Sequence, residues 1–297
     1  MIDLHAHFLP AIDDGAESVE VALDMARVAV ANGVKVQACT PHIMPGVYNN
    51  NGAAIRLATS ALQFELDRAE IPLRLVTGAD IHIAPNLVEG LVSGRLLSLH
   101  DTRYVLLETP HHVAPARLDD CFVQLLSAGY VPIFTHPERL TWIRGHYESI
   151  IRLYRSGVWM QITAGSLLGM FGREAKYWGE RMLDDGMVHI LASDCHNVKR
   201  RPPNLAQGYE AAEKLVGAEE ASQLVMGRPL AILKNIAPNK IPTPDECLQR
   251  AKEVSHDGKE HEKADRSVAP SSTYQESGFI DRSGFSDRMR QFFRRRV

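Results

Sequence analysis

The sequence predicts an α/β fold, a mostly parallel sheet or barrel with right-handed crossovers. Two observations carry that reading. Seven short β-branched runs, at residues 2–5, 34–40, 73–79, 104–107, 131–135, 158–163 and 188–192, alternate with segments of helical periodicity. Six of these seven runs end on histidines or carboxylates. In parallel barrels, functional groups gather on the face beyond the strand C-termini.

Taken in order, the first run is IDLH, and after a short loop comes SVEVALDMARVAVANG. There Val19, Ala22, Met25, Ala26 and Ala29 recur at helical spacing. Ser18 is placed to cap the first turn, and Gly33 supplies the left-handed residue that ends a helix. The second run closes on Thr40-Pro41-His42, ahead of a helix over 51–68. The third closes on Gly78-Ala79-Asp80 and the fourth on Glu108, in LLETP. A helix over 118–128 leads to the fifth run, which closes on Thr135-His136-Pro137. A helix over 148–155 leads to the sixth, and the seventh closes on Ser193-Asp194-Cys195-His196.

Composition bounds the function. The chain has 297 residues, 45% hydrophobic and 23% charged, which excludes disorder of the whole chain. A net charge of −3 argues against a nucleic-acid partner. No apolar run approaches the ~20 residues of a spanning helix, and the N-terminus lacks the basic stretch of a signal peptide. Cys39, Cys121, Cys195 and Cys247 form no CxxC pair, so a cytoplasmic, reducing setting is expected. The composition turns polar after about Pro244. Residues 1–244 are therefore expected to form the domain. Residues 245–297 are expected to form a disordered tail, because they carry too little apolar surface to offset ordering entropy. Its basic end, DRMRQFFRRRV, reads either as solvated or as a weak contact with a membrane surface or acidic partner.

The strand-end residues suggest a metal. His5 and His7 form H-x-H, and residues two apart in an extended segment point to one side. With His42, Asp80, Glu108, His136, Asp194 and His196 they make five histidines and three carboxylates at one end of the sheet. A nitrogen and oxygen set without a thiolate pair suits divalent Mn, Fe or Zn in a polynuclear site. Arg139, in THPER, and Arg201, in HNVKRRPPN, lie beside these residues. A guanidinium grips phosphate through two parallel hydrogen bonds. Metals flanked by arginines point to phosphate ester hydrolysis. The segment from Cys195 to Arg201 also fits C-x5-R, the pattern of cysteine-dependent phosphatases. It holds no glycine and is followed by Pro202-Pro203, so its backbone N–H groups are poorly suited to wrap a phosphate. Cys195 is therefore read as a spacer between two ligands.

HAHFLPAIDDGAES, ACTPHIMPGVY, VLLETP, FTHPER and ASDCHNVKRRPPN together resemble the polymerase and histidinol phosphatase (PHP) superfamily. Within it they are most similar to the bacterial tyrosine-protein phosphatase branch of capsule and exopolysaccharide operons. The resemblance covers residues 1 to about 240. It implies a distorted seven-stranded (β/α)7 barrel holding two or three divalent ions, usually manganese. It implies ligands at the eight positions above, phosphate contacts at Arg139 and Arg201, and a functional acid at Asp14. Asp14 either donates a proton or orients a ligand histidine. The substrate implied is a phosphotyrosine tail of a bacterial tyrosine autokinase controlling polysaccharide export. The alternatives are a small-metabolite phosphatase of the histidinol-phosphate type and a weakly active scaffold that binds the kinase. One departure stands out: the superfamily usually has Glu where this chain has Asp80, one methylene shorter. His82, two residues on, reads either as a helper to Asp80 or, in preference, as an ordinary strand residue. The oligomeric state is left open.

Overall fold

The computed structural model describes residues 1–244; the expected tail, 245–297, with its basic end lies outside the described residues. All seven expected strands are present, and among the described residues every pairing between these strands is parallel. A three-stranded sheet has the order β1-β2-β4, from β1 (Ile2–Asp3), β2 (Val36–Cys39) and β4 (Arg74–Thr77). A six-stranded sheet has the order β3-β5-β6-β7-β8-β9. It is built from β3 (His42–Ile43), β5 (Asp80–His82), β6 (Tyr104–Glu108), β7 (Val131–Thr135), β8 (Trp159–Thr163) and β9 (Ile190–Ala192).

The short strands β3 and β5 are additions to the sequence reading. The expected runs 34–40 and 73–79 each break and resume in a second sheet, with His42 opposite Asp80. Pro41 has no N–H for a ladder; its carbonyl accepts from Asp80 N at 3.2 Å, and beside it Cys39 O accepts from Gly78 N at 3.1 Å. Gly78 allows the strands to close up, since a Cβ there would stand 2.9 Å from Leu99 and 3.0 Å from Thr40. The break turns His42 and Asp80 into strand residues of the six-stranded sheet. At the other margin, Ala6 bridges to Cys195 in parallel, with His7 N donating to Cys195 O at 2.9 Å.

The helices follow their sequence signals. In α1 (Val19–Ala31), Ser18 Oγ accepts from Val21 N at 3.4 Å, and Ala22, Met25, Ala26 and Ala29 are buried. Gly33 takes φ +80°, as a helix stop requires. Asn51 caps α2 (Gly52–Arg68) through Ala54 N. After α3 (Leu87–Val92) and α4 (Leu118–Ser127), α5 (Ile143–Arg155) starts five residues earlier than expected, across a kink at His146. Among the described residues, five helices were not assigned from sequence: α3, α6 (Ala164–Leu167), α7 (Gly172–Asp184), α8 (Leu205–Ser222) and α9 (Arg228–Leu233). Among the described residues, no helix is long and apolar enough to cross a membrane.

Strand alternation separates two cores. Tyr104 and Leu106 of β6 pack with Leu4, Ile133, Trp159, Ile190, Ile232 and Ile241. Val105 and Leu107 face the other way, onto the helices. Glu108 continues the Tyr104–Leu106 side, so strand period alone carries its carboxylate to the end of the inner core.

Candidate metal centre

Six of the eight expected ligands sit on or just past the strand ends with almost no exposure: His5, His7 and Asp80 at 0%, Asp194 at 1%, and His136 and His196 at 2%. Glu108 is also buried, and His42 is nearly so. Two take strained backbone to get there. His136 has φ +37° and Asp194 φ +49°, uncommon for residues with a side chain. Both are pinned at the amide: His136 N donates to Gln161 O at 2.8 Å and Asp194 N to His5 O at 2.9 Å.

The donor atoms stand at characteristic spacings. His5 Nε2 lies 3.5 Å from Asp80 Oδ2 and 3.5 Å from Asp194 Oδ1. His7 Nε2 lies 3.3 Å from both Asp194 Oδ1 and His5 Nε2. His42 Nδ1 lies 3.3 Å from Asp80 Oδ2 and 3.4 Å from Glu108 Oε2. His136 Nε2 lies 3.6 Å from Glu108 Oε1. These separations are long for charge-assisted hydrogen bonds. Two donors each ~2.1 Å from one cation, at right or tetrahedral angles, stand about 3.0–3.5 Å apart. Both oxygens of fully buried Asp80, and His42 Nδ1 and His136 Nδ1, have no hydrogen-bond partner. A buried carboxylate without a donor is costly unless a cation compensates it. The residues therefore fit divalent ions.

The donors fall into overlapping groups: His7–Asp14–His42–His196, His5–His7–Asp80, His5–His136–Asp194, His42–Asp80–Glu108 and Glu108–His111–His136. Six residues belong to two groups each, which is the arrangement that shared ligands between neighbouring ions require. Asp14, read from sequence as an acid or an orienting group, enters one group as a potential ligand. Burial pushes its carboxyl up, but His196, His7 and His42 outweigh this and hold it below the ordinary range. An anion in that setting suits ligation better than proton donation. His82 belongs to none of the groups.

Four supporting residues escaped the sequence reading. Asp13, not Asp14, orients His7, through Nδ1 at 2.7 Å. Gln161 Oε1 meets His5 Nδ1 at 2.8 Å. Such contacts fix the tautomer and direction of a ligand ring. Gln161 did leave a signal, as the one strongly polar residue in the strand WMQIT. Gly15 packs so closely that a Cβ would stand 2.2 Å from His7 O. His111, three residues past Glu108 in TPHH, is the fourth.

Arg139 and Arg201 converge, and what they meet is Asp194. Arg139 Nη1 donates to Asp194 Oδ2 at 2.5 Å, and Arg201 Nη2 donates to the same oxygen. Arg201 Nη1 also donates to His196 Nε2 at 2.9 Å. The Phe171 ring lies 4.2 Å from the Arg139 guanidinium carbon and 5.8 Å from that of Arg201, a shared cation–π platform. Arg201 Nε is buried without a partner, leaving a donor in reserve.

Cys195 is fully buried, and burial pushes its thiol well above the ordinary range. Its backbone serves the fold through the bridge to Ala6, and its side chain packs in the hydrophobic core. Cys195→Ala should keep turnover within about tenfold, ~1.4 kcal/mol of barrier. Complete loss with intact metal content would show the thiol to be chemical.

Metal loading must compete with protons. Burial lowers His5 and His42, but neighbouring carboxylates outweigh it, Asp194 and Asp80 for His5 and Asp80 and Glu108 for His42. The two rings are pushed up to about 9 and about 10. Only neutral imidazole ligates. Loading chelator-treated protein at pH 7 should therefore release protons, and affinity should rise with pH up to about 9–10. Calorimetry in buffers of different ionisation enthalpy reads the release directly; none at pH 7 would refute this electrostatic picture.

An α/β fold with a buried, interlocking His/carboxylate set beside two guanidiniums defines a protein with a candidate polynuclear metal centre. Residues 1–234 match the family described as capsular polysaccharide synthesis, CpsB/CapC, and the chain belongs to that family. It is 39% identical over 219 residues to the tyrosine-protein phosphatase YwqE of Bacillus subtilis (strain 168), covering 74% of this chain and 86% of that protein. It is 26% identical over 240 residues to the tyrosine-protein phosphatase CpsB of Streptococcus agalactiae, covering 79% and 99%. A crystal structure superposes with TM-score 0.77 at 38% identity, covering 80% of this chain and 96% of that one. It comes from work on YwqE of B. subtilis and CpsB of Streptococcus pneumoniae, described as unique metal-dependent tyrosine phosphatases.

Proposed function

We propose that this chain is a metal-dependent protein-tyrosine phosphatase acting in the cytoplasm on a bacterial tyrosine autokinase of capsule or exopolysaccharide synthesis. The observation that carries the reading is the set of overlapping donor groups with two arginines at its edge. Family membership and the named activity of the relatives support it. On this reading, β1, β2–β3, β4–β5, β6, β7, β8 and β9 are the seven staves of a distorted barrel, and the Ala6–Cys195 bridge supports closure.

The ligands are His5, His7, His42, Asp80, Glu108, His136, Asp194 and His196, with Asp14 added from its place beside His42 and His196. They hold two or three ions, with Mn²⁺ the expected metal. Bound there, the ions supply Lewis acidity toward a phosphoryl oxygen and lower the pKa of a water. The residues do the rest. Burial and the neighbouring His7 lower His196 to about 4, so its ring is neutral and ready to ligate. Its Nε2 lone pair serves either Arg201 or a cation, not both. Ligation by His196 thus frees Arg201 Nη1 to donate to an equatorial phosphoryl oxygen, with Arg139 alongside. Asp194 holds both guanidiniums at the site through its Oδ2. The phenolate leaving group, with a conjugate acid pKa of ~10, needs little general-acid help. That fits the absence of a protonated acid in the Asp14 position.

A cleft of about 570 Å³ opens from Asp13 and Asp14 to Lys199 and Arg200. It offers room for the chain on which a phosphotyrosine is carried. Turnover of phosphotyrosine peptide against histidinol phosphate, with Mn²⁺ and with chelator, tests the reading. Preference for the peptide and loss on chelation are expected. Preference for histidinol phosphate would replace the substrate, and a metal-poor, inactive protein would favour the scaffold alternative.

The domain boundary at 244 is part of the proposal. Ile241 packs into the inner core, and Arg228 Nε donates to Pro242 O at 3.0 Å. Deleting 245–297 should leave hydrolysis of a small aryl phosphate and the Tm unchanged. Cutting before Ile241 should lower the Tm by removing both contacts. Any contribution of the basic end to a membrane or partner should fade with salt. If deletion from 245 unfolds the domain, the boundary is wrong.

A further inference from the structure

We propose that His111 is a metal ligand of this centre, completing a three-donor position with Glu108 and His136. The inference rests on the metal-dependent reading above and adds a residue to it.

Among the groups of donors, the pair Glu108–His136 has no third member from the strand ends. Asp80 stands with His5 and His7, and with His42 and Glu108, but is not in the group that holds Glu108 and His136 together. The third donor there is His111. Its Nε2 lies 3.4 Å from Glu108 Oε1, the oxygen that His136 Nε2 approaches at 3.6 Å. The rings of His111 and His136 are 5.3 Å apart, centre to centre. These are the separations found within the other groups, too long for charge-assisted hydrogen bonds and matched to donors around one cation.

A further observation points the same way: the loop that carries His111 is held in place, although it lies near the surface. His111 O accepts from Thr141 N at 3.0 Å and from Thr141 Oγ1 at 3.1 Å, and Pro110 O accepts from Trp142 Nε1 at 2.9 Å. Thus Thr141 and Trp142, ahead of α5, fix the backbone of residues 110 and 111 over the end of β6. A surface histidine needs no such clamp; a ligand does, because a mobile loop would lose ordering entropy on binding. His112, the next residue, is exposed and in no donor group, so it serves as a built-in control.

His111 sits at the rim, with 29% of its side chain exposed, while its partners are buried. The position it completes is therefore the outward one, open to exchange with solvent. It should be the first to lose its ion.

The experiment measures metal, not turnover. Wild-type, His111→Ala and His112→Ala proteins are loaded with Mn²⁺, desalted and analysed for bound metal per chain. Affinity is then measured by competition with a metallochromic chelator, and Tm is followed with and without EDTA. The wild-type result tests the metal-dependent reading itself, since a protein that binds no ion there fails that reading before His111 is in question. Given metal in the wild type, His111→Ala should lose one ion on desalting, or bind its weakest ion at least ~10–100-fold less tightly, the range seen when even a group supporting a ligand is removed. His112→Ala should match the wild type, and in EDTA all three Tm values should agree. Unchanged stoichiometry and affinity in His111→Ala would overturn the proposal, and so would equal losses in the two variants.

Discussion

Asp194→Asn is expected to lower kcat/KM on phosphotyrosine peptide at least ~10³-fold, more than 4 kcal/mol of barrier. Three roles end at this one carboxylate. Its Oδ1 stands among His5 and His7, and its Oδ2 receives both Arg139 and Arg201. Burial pushes its carboxyl up, yet Arg201, His5 and Arg139 hold it well below the ordinary range, so it is an anion at any working pH. The neutral amide keeps the volume but removes the charge that the two guanidiniums share and that a cation at this centre would share. Bound metal per chain should fall as well. The protein should also lose stability, because removing one partner of a buried charge cluster leaves the others uncompensated, typically ~3–5 kcal/mol. For a domain of this size that is roughly 6–20 °C in Tm. Repeating the melt in EDTA separates the causes. A loss that persists belongs to the arginines, and one that vanishes belongs to metal ligation. An Asp194→Asn protein with full metal content and more than a tenth of wild-type activity would remove Asp194 from the centre.

What could be read from sequence follows a physical line. Groups placed by strand period and strand ends were legible. Glu108 falls on the Tyr104–Leu106 side because alternate residues share a face, and His5 and His7 converge for the same reason. The helices with polar caps and a clear apolar stripe, α1 and α2, were legible to within one residue of their starts. Features made by long-range packing were not. Gln161 reaches His5 across 156 positions, and Phe171 finds the two arginines from a loop with no local pattern of its own. The strands β3 and β5 are only two and three residues long, and they lie just beyond the runs 34–40 and 73–79 that the sequence shows. Asp13 and Asp14 are neighbours of identical chemistry. Only the turn held by Gly15 N on Asp13 Oδ1 decides which of them faces His7. His111 illustrates the limit most directly. Its proximity to Glu108 in TPHH was visible, but nothing local says that Thr141 and Trp142 hold that loop down.

Replacing either arginine by lysine is expected to cost ~2–4 kcal/mol of transition-state stabilisation, about 30- to 1,000-fold in kcat/KM, with no rescue by the retained charge. The geometry explains why. Both guanidiniums donate to one oxygen of Asp194 while lying against the face of Phe171, so each is fixed in plane with further N–H groups to spare. An ammonium on a flexible stem can pair with Asp194, but it has neither the planar fork nor the stacking surface. The two positions should differ in one respect. Arg201 also donates to His196 Nε2, a potential ligand atom, whereas Arg139 touches no histidine nitrogen. Arg201→Lys should therefore leave His196 freer to bind metal, with metal affinity unchanged or raised while kcat falls. Arg139→Lys should lower kcat/KM with metal affinity unchanged. Titrating Mn²⁺ in both the binding and the turnover assay separates these effects. If Arg201→Lys loses metal in proportion to activity, the residue supports the ligand set and does not grip phosphate. If either lysine variant retains wild-type kcat/KM on phosphotyrosine peptide, that arginine makes no bidentate contact with the transferred group.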